Sequence, residues 1–133
     1  MSIVTWKKKY DDHTPITLLT AYDATMARLI EMSGIDGILV GDSLRHTFYG
    51  DTTTVKMTLE EMIYHTKAVC NGVKKTLVIA DMPFMTYNIS IEESLRNATQ
   101  LIQAGAKAVK CEVRLSHLPT IERLVQEGIP VMG

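Results

Sequence analysis

The sequence contains little cysteine, no strong net charge and no long apolar run. Its two cysteines, Cys70 and Cys111, form no CxxC pair, which argues against a disulfide framework and a thiolate zinc site. The formal net charge of −1 supplies no basic field for a nucleic-acid backbone or an anionic membrane surface. No apolar stretch reaches the length of a signal-peptide core or a membrane span. We therefore expect a soluble, cytoplasmic protein that binds neither nucleic acid nor membrane.

Several catalytic motifs are also missing. No GxGxxG turn follows the first apolar run, and no GxSxG or Cys/His arrangement indicates covalent catalysis. The histidines do not have the mutual spacing of metal ligands; they are His13, His46, His65 and His117. These absences direct attention to acidic side chains.

The composition, with 46% hydrophobic and 22% charged residues, is typical of one globular domain over residues 1–133. Short apolar runs alternate with amphipathic stretches that begin with helix-capping residues. The predicted strands are residues 16–20, 35–40, 76–80, 106–111 and 129–132, and the predicted helices are residues 23–32, 58–72, 90–105 and 118–126.

Five strands alternating with four helices predict a parallel α/β sheet, either doubly wound or part of a (β/α)₈ barrel. A complete barrel needs about 250 residues, and this chain ends directly after an apolar run. We therefore interpret residues 1–133 as the first half of a TIM barrel, a single incomplete domain. Its two strand edges, near Ile16 and Ile129, would then need covering.

Three apolar runs are closed by acids, namely Asp42, Asp81 and Glu112. Ligands of parallel α/β folds lie at the carboxyl ends of the strands, so these carboxylates would share one rim. Three oxygen ligands suit Mg²⁺ better than zinc. Each acid taken singly is equally well explained as a cap of the following helix.

Lys110 lies two residues before Glu112, so strand alternation sends both side chains to one face. A lysine on that face would bind an anion. The alternative is an ordinary surface lysine at the end of a strand. Ser43 follows Asp42 and could donate its hydroxyl to a bound carboxylate, or simply cap a turn. The segment 42–56 has no periodicity and is predicted to be a functional loop.

Four segments together resemble the ketopantoate hydroxymethyltransferase family. They are TAYD (20–23), VGDSL (40–44), ADMPFMTY (80–87) and AGAKAVKCE (104–112). The resemblance runs in order over nearly the whole chain. It implies a (β/α)₈ barrel that transfers a hydroxymethyl group from 5,10-methylenetetrahydrofolate to 3-methyl-2-oxobutanoate, giving 2-dehydropantoate for pantothenate synthesis.

The resemblance also implies residue roles. Asp42, Asp81 and Glu112 would bind Mg²⁺, and Ser43 and Lys110, with Asp42 and Asp81, would hold the keto acid. The general base of the family is a glutamate from the second half of the barrel, so this chain is expected to hold no catalytic base and to have little activity alone. A homo-oligomer or a complementary C-terminal half would complete it.

Two pairs of residues depart from the family pattern. Arg45 and His46 stand where the family usually has glycine and a small apolar residue, and Val113 and Arg114 replace a Gly-Gly pair. These larger side chains lie beside the segments that carry the predicted ligands, so they would affect how the substrate fits. The alternatives are a non-catalytic metal-binding or assembly fragment of a split enzyme, and another Mg²⁺-dependent keto-acid barrel of the phosphoenolpyruvate mutase and isocitrate lyase group.

Overall fold

The computed structural model describes residues 2–133 and places in them five strands and six α-helices. The strands are β1 (Leu18–Thr20), β2 (Gly37–Val40), β3 (Leu77–Asp81), β4 (Ala108–Lys110) and β5 (Val131–Met132). The helices are α1 (Ile3–Asp11), α2 (Ala24–Met32), α3 (Leu44–Thr47), α4 (Leu59–Gly72), α5 (Ile91–Gln103) and α6 (Leu118–Gln126), and a 3₁₀ turn spans Leu115–His117.

The strands form one parallel sheet in the order β1-β2-β3-β4-β5. Each strand therefore pairs with the next strand along the chain. A doubly wound sheet reverses its strand order at a switch point, whereas a (β/α)₈ barrel keeps sequential order. The order selects the partial barrel over the doubly wound alternative.

The predicted helix starts are confirmed by the caps. The Asp23 carboxylate accepts from the Met26 backbone N–H at 2.8 Å, and the Ser90 hydroxyl accepts from Glu93 at 3.1 Å. Thr58 and Glu61 form a reciprocal capping box at the start of α4. These caps are local in sequence, which is why the pattern of residues identifies them.

The two faces of the sheet follow the alternation of side chains along each strand. Ile38, Val78 and Val109 belong to the large core that α2, α4, α5 and α6 help to bury. Leu77, Ile79 and Ala108 form a second cluster on the opposite, inner face. Strand β3 is thus buried on both faces, as expected inside a parallel sheet, whereas the edge strands β1 and β5 are partly exposed.

Helix α1 and the short α3 were not predicted. Ser2 caps α1 by accepting from the Thr5 N–H, and Trp6 packs against the inner-face cluster. The close approach requires glycine at position 37, since a Cβ there would lie 2.4 Å from a Trp6 ring carbon. Helix α1 contains three lysines and no fully buried residue, so its sequence lacks the apolar pattern that would predict a docked helix.

Within residues 2–133, no helix is both long and apolar enough to cross a membrane.

Candidate functional site

A pocket of about 190 Å³ lies at the carboxyl ends of β2, β3 and β4. Asp42 follows β2, Asp81 is the last residue of β3, and Lys110 is the last residue of β4. The pocket is lined by Asp42, Thr54, Val55, Asp81, Met82, Phe84, Tyr87, Lys110 and Glu112. All three acids predicted as metal ligands therefore reach the same pocket.

The register of β3 and β4 sets Asp81 directly beside Lys110. Lys110 donates from Nζ to Asp81 Oδ1 at 2.9 Å, and the backbone N–H of Asp42 donates to Asp81 Oδ2 at 3.0 Å. Each carboxylate oxygen of Asp81 thus has one donor. The three residues are joined by a continuous chain of hydrogen bonds across three strand ends.

Burial prevails at Asp81 but is outweighed at Lys110. It raises the pKa of the Asp81 carboxyl above its usual range, and the hydrogen bond and charge of Lys110 offset this only in part. For Lys110, burial alone would lower the pKa. The hydrogen bond and charge of Asp81, with the charges of Glu112 and Asp42, outweigh burial and raise the pKa of the ammonium. Lys110 is therefore a fixed positive charge facing the pocket.

Glu112 differs from the other two acids because its side chain is 82% exposed, with Oε1 at 3.8 Å from Lys110 Nζ. Its backbone is anchored, since the Tyr87 hydroxyl donates to the Glu112 carbonyl at 3.1 Å. Burial raises the pKa of Tyr87, which keeps its hydroxyl a donor. Tyr87 thus fixes the Glu112 main chain, while the carboxylate extends into solvent.

Ser43 lies beside the pocket acids and pairs with a different partner. Its hydroxyl is 2.8 Å from the hydroxyl of Tyr22, and the Tyr22 carbonyl is 2.7 Å from Nδ1 of the buried His65. Its role in holding a substrate carboxylate stays a prediction.

The fit of this site to Mg²⁺ depends on donor chemistry. In residues 2–133 no group of three or more acidic, histidine or cysteine side chains is gathered closely enough to hold a metal ion. Mg²⁺, however, keeps several waters and uses one or two protein carboxylates plus substrate oxygens. Asp42, Asp81 and the exposed Glu112 side chain place oxygen atoms of that kind around one pocket. The donor set fits Mg²⁺, and the structure has no preformed three-acid cage within the described residues.

Sequence reasoning missed several lining residues. Thr54 and Val55 come from the loop predicted to be functional, and Phe84 and Tyr87 come from the loop after β3. Their participation depends on how the loops fold back over the strand ends, which periodicity does not report. Among the described residues, the pocket lining excludes the four departures from the family pattern, Arg45, His46, Val113 and Arg114. Their added bulk therefore lies outside the pocket.

Both cysteines are free thiols, one buried and one half-buried. Burial raises the pKa of Cys111 to about 12, helped by the charge of Asp81, and burial raises the pKa of Cys70 to about 11. Thiols with such pKa values stay protonated near neutral pH and are poor nucleophiles. The chemistry of the pocket belongs to its carboxylates and its lysine.

Sequence comparison identifies relatives over the whole chain. A family model described as ketopantoate hydroxymethyltransferase matches residues 1–133. A 3-methyl-2-oxobutanoate hydroxymethyltransferase of Pyrococcus furiosus is 50% identical over 118 residues, covering 89% of this chain and 42% of the relative. Another from Clostridium beijerinckii is 44% identical over 133 residues, covering 99% of this chain and 48% of the relative. The chain spans about half the length of the curated relatives it matches.

Comparison with solved structures identifies the fold. A 2,3-dimethylmalate lyase described as a phosphoenolpyruvate mutase/isocitrate lyase superfamily member matches with a TM-score of 0.71 at 16% identity, covering 97% of this chain and 50% of that one. A phosphonopyruvate hydrolase solved with oxalate and Mg²⁺ matches with a TM-score of 0.67 at 20% identity, covering 83% of this chain and 38% of that one. At such identities these matches support the partial-barrel architecture alone.

Proposed function

Because the chain belongs to the ketopantoate hydroxymethyltransferase family, we propose that its pocket is the metal- and keto-acid-binding part of a hydroxymethyltransferase. The proposed substrate is 3-methyl-2-oxobutanoate, with 5,10-methylenetetrahydrofolate as the one-carbon donor and 2-dehydropantoate as product. The observation that carries the proposal is the Lys110–Asp81–Asp42 chain of hydrogen bonds facing a small pocket.

The size and polarity of the pocket support a small anionic ligand. Its volume of about 190 Å³ falls below the roughly 300 Å³ at which sites for drug-sized ligands begin. Lys110 places a positive charge there that could pair with a carboxylate. The Ser43 hydroxyl could donate to the same carboxylate while it accepts a hydrogen bond from the Tyr22 hydroxyl.

In this proposal Asp42, Asp81 and Glu112 would hold Mg²⁺ directly or through water. The ion would supply positive charge next to the keto oxygen and so make the neighbouring carbon more acidic. Asp81 accepts from Lys110 at one carboxylate oxygen and from the Asp42 N–H at the other, so its carboxylate would be held in a fixed orientation as a ligand. The ammonium of Lys110 would balance the negative charge that gathers on the substrate as its proton leaves.

Proton removal needs a further group, since the acids lining the pocket are all assigned to binding. We propose that the base and the folate site come from the remaining barrel strands, whether in the same polypeptide, a second copy or a separate chain. The inner sheet face supports this pairing. It carries an apolar cavity of about 720 Å³ lined partly by Trp6, Ile79 and Met132, a surface that barrel closure would cover.

The proposal is tested by calorimetric titration of 3-methyl-2-oxobutanoate into the chain, with MgCl₂ and again with EDTA. We expect Mg²⁺-dependent binding that Asp81→Asn weakens by about tenfold or more, since a hydrogen bond to a charged group contributes about 1.5–3 kcal/mol. The matched control is Asp11→Asn, which removes an exposed carboxylate paired with Lys7 on α1. Binding by the chain without 2-dehydropantoate formation is the expected result for the isolated half.

Three outcomes would contradict the proposal. One is binding of equal strength with EDTA, a second is unchanged affinity in Asp81→Asn, and the third is an equal loss of affinity in Asp11→Asn. Thermal unfolding of each variant shows whether a loss of affinity reflects the pocket or a general loss of folding.

A further inference from the structure

We propose that Arg45 is a positioning residue that holds the segment Asp51–Met57 in place as one wall of the pocket. Arg45 lies in α3, three residues after the pocket residue Asp42, and its side chain is only 12% exposed. The nature of the ligand in the pocket rests on the proposed function. The structural role of Arg45 rests on the contacts below.

The guanidinium of Arg45 reaches the start of α4. Nη2 donates to both carboxylate oxygens of Glu61, at 2.7 and 2.5 Å. Glu61 in turn accepts from the Thr58 N–H and hydroxyl, each at 2.9 Å, in the capping box of α4. Arg45 is thereby tied to a rigid element, because the capping box fixes the carboxylate that it binds.

The same guanidinium also contacts both ends of the segment 51–57. Nη1 donates to Asp51 Oδ2 at 3.3 Å, and Nη2 donates to the Lys56 carbonyl at 2.8 Å. Asp51 is held again by its own N–H, which donates to the Arg45 carbonyl at 2.8 Å. Lys56 Nζ closes the network by donating to Asp51 Oδ1 at 2.7 Å. Residues 52–55 are therefore a short span pinned at both ends.

That span carries the pocket wall. Thr54 and Val55 line the pocket together with Phe84 and Lys110, although they lie outside any helix or strand. The segment has a few bonds of its own, such as the Met57 N–H to the Thr54 carbonyl at 2.9 Å, but no ladder of backbone hydrogen bonds. Arg45 ties both of its ends to Glu61 of α4, and a loop of this kind depends on such ties for its order. If the ties are lost, the segment must be ordered when the ligand binds, which weakens binding of any ligand that touches it.

Arginine is suited to this position in a way that lysine is not. Its planar fork binds Glu61, Asp51 and the Lys56 carbonyl together, and it stacks on Tyr49 with the guanidinium carbon 4.4 Å from the ring centre. Its Nε is buried with no hydrogen-bond partner within the described residues, so the two terminal nitrogens carry the whole connection. A lysine ammonium could satisfy Glu61 or the loop, but its single point charge could not span both.

The test uses the full chain and compares Arg45→Met with Arg45→Lys. The matched control is Arg123→Met, which removes an arginine from an exposed ion pair with Glu127 on α6. Amide hydrogen exchange of residues 51–57 is measured first, then affinity for MgCl₂ alone, then affinity for 3-methyl-2-oxobutanoate with MgCl₂. The metal-only titration reports the acids of the pocket, and the keto-acid titration reports the wall.

We expect exchange of residues 51–57 to rise by about tenfold in Arg45→Met, less in Arg45→Lys, and not in Arg123→Met. Keto-acid affinity should fall by about fivefold in Arg45→Met and recover in part in Arg45→Lys. Affinity for MgCl₂ alone should stay within about twofold of the parent chain. A purely structural defect would instead lower both affinities together.

Unchanged exchange in Arg45→Met overturns the proposal, whatever the ligand does. Faster exchange with full keto-acid affinity also overturns it, because the wall would then play no part in binding. If Arg45→Met does not fold, Asp51→Asn, which removes the charge that Arg45 and Lys56 bind at one end of the segment but leaves the Arg45–Glu61 contact, decides between the same outcomes. Failure of the parent chain to bind the keto acid would refute the proposed function, while the exchange measurement would still decide the role of Arg45.

Discussion

Replacing Glu31 with glutamine should remove one distinct contribution to the acid sensitivity of the fold. Glu31 lies in the last turn of α2, and its carboxylate accepts from the N–H groups of Lys74, Lys75 and Thr76 at 3.0, 2.7 and 2.8 Å. It also accepts from the Thr76 hydroxyl at 3.1 Å. The carboxylate thus fixes the turn that leads from α4 into β3, the strand that ends at Asp81.

The magnitude follows from the pKa of this group. Burial acts to raise the pKa of Glu31, but the three backbone donors and the hydroxyl outweigh it and lower the pKa from 4.5 to about 2. At about 1.36 kcal/mol per pKa unit the shift corresponds to an upper value of about 3.4 kcal/mol. Partial exposure and solvent screening reduce this to about 1–2 kcal/mol.

The folded pKa is below the unfolded one, so this stabilisation is complete well above pH 4.5 and is lost as the pH falls toward 2. Urea unfolding of the parent chain and of Glu31→Gln at steps between pH 7 and pH 2 measures it. We expect Glu31→Gln to be less stable by about 1–2 kcal/mol at pH 7 and the two curves to converge near pH 2.

The control is Glu122→Gln, which alters an exposed carboxylate on α6 that accepts only a 3.3 Å bond from Gln126 in the described contacts. It should change stability by less than about 0.5 kcal/mol. A stability difference between parent and Glu31→Gln that is the same at pH 7 and pH 2 would refute the assignment of charge-dependent bonds to Glu31.

Two further substitutions test how α1 is docked. Gly37→Ala would place a Cβ 2.4 Å from a ring carbon of Trp6, and we expect thermal unfolding to show a loss of about 1–3 kcal/mol from overpacking, relieved in part by adding Trp6→Leu. Asp36→Asn would weaken a buried carboxylate that accepts from Lys9 Nζ at 2.5 Å and from Thr17 at 2.9 and 3.0 Å, and we expect a loss of about 1–3 kcal/mol. For Asp36→Asn, amide hydrogen exchange should rise most in α1. An equal rise in exchange across the whole chain would contradict the role of Asp36 in docking α1.

Features of the fold that depend on neighbouring residues could be predicted from the sequence. The cap of α2 by Asp23, the capping box of Thr58 and the cap of α5 by Ser90 all lie within a few residues of what they cap. Strand positions were also predicted, although four of the observed strands are shorter by two or three residues and β3 is shifted by one residue. Strand ends depend on pairing with neighbours, so local sequence fixes them poorly.

Features that depend on contacts between distant residues could not be predicted in the same way. Helix α1 forms part of the structure because Trp6 meets the inner face of strands 12 to 126 residues further along the chain. The sequence predicted that the three acids of the pocket lie on one rim of the sheet. It did not predict that their side chains differ in exposure. Asp81 is buried against Lys110 while the Glu112 side chain is largely exposed, a difference that only the folded loops decide.

The register between β3 and β4 shows that the geometry of the pocket depends on the pairing of the sheet. Asp81 and Lys110 are opposite each other and both point to the inner face. A slip of one residue would bring Val109 or Cys111 opposite Asp81, and both of those side chains now pack in the outer core. The slip would also turn the apolar set of β4 inward and expose it. The hydrophobic alternation that stabilises the sheet therefore also enforces the Asp81–Lys110 ion pair, which explains how a partial barrel presents an ordered pocket at its strand ends.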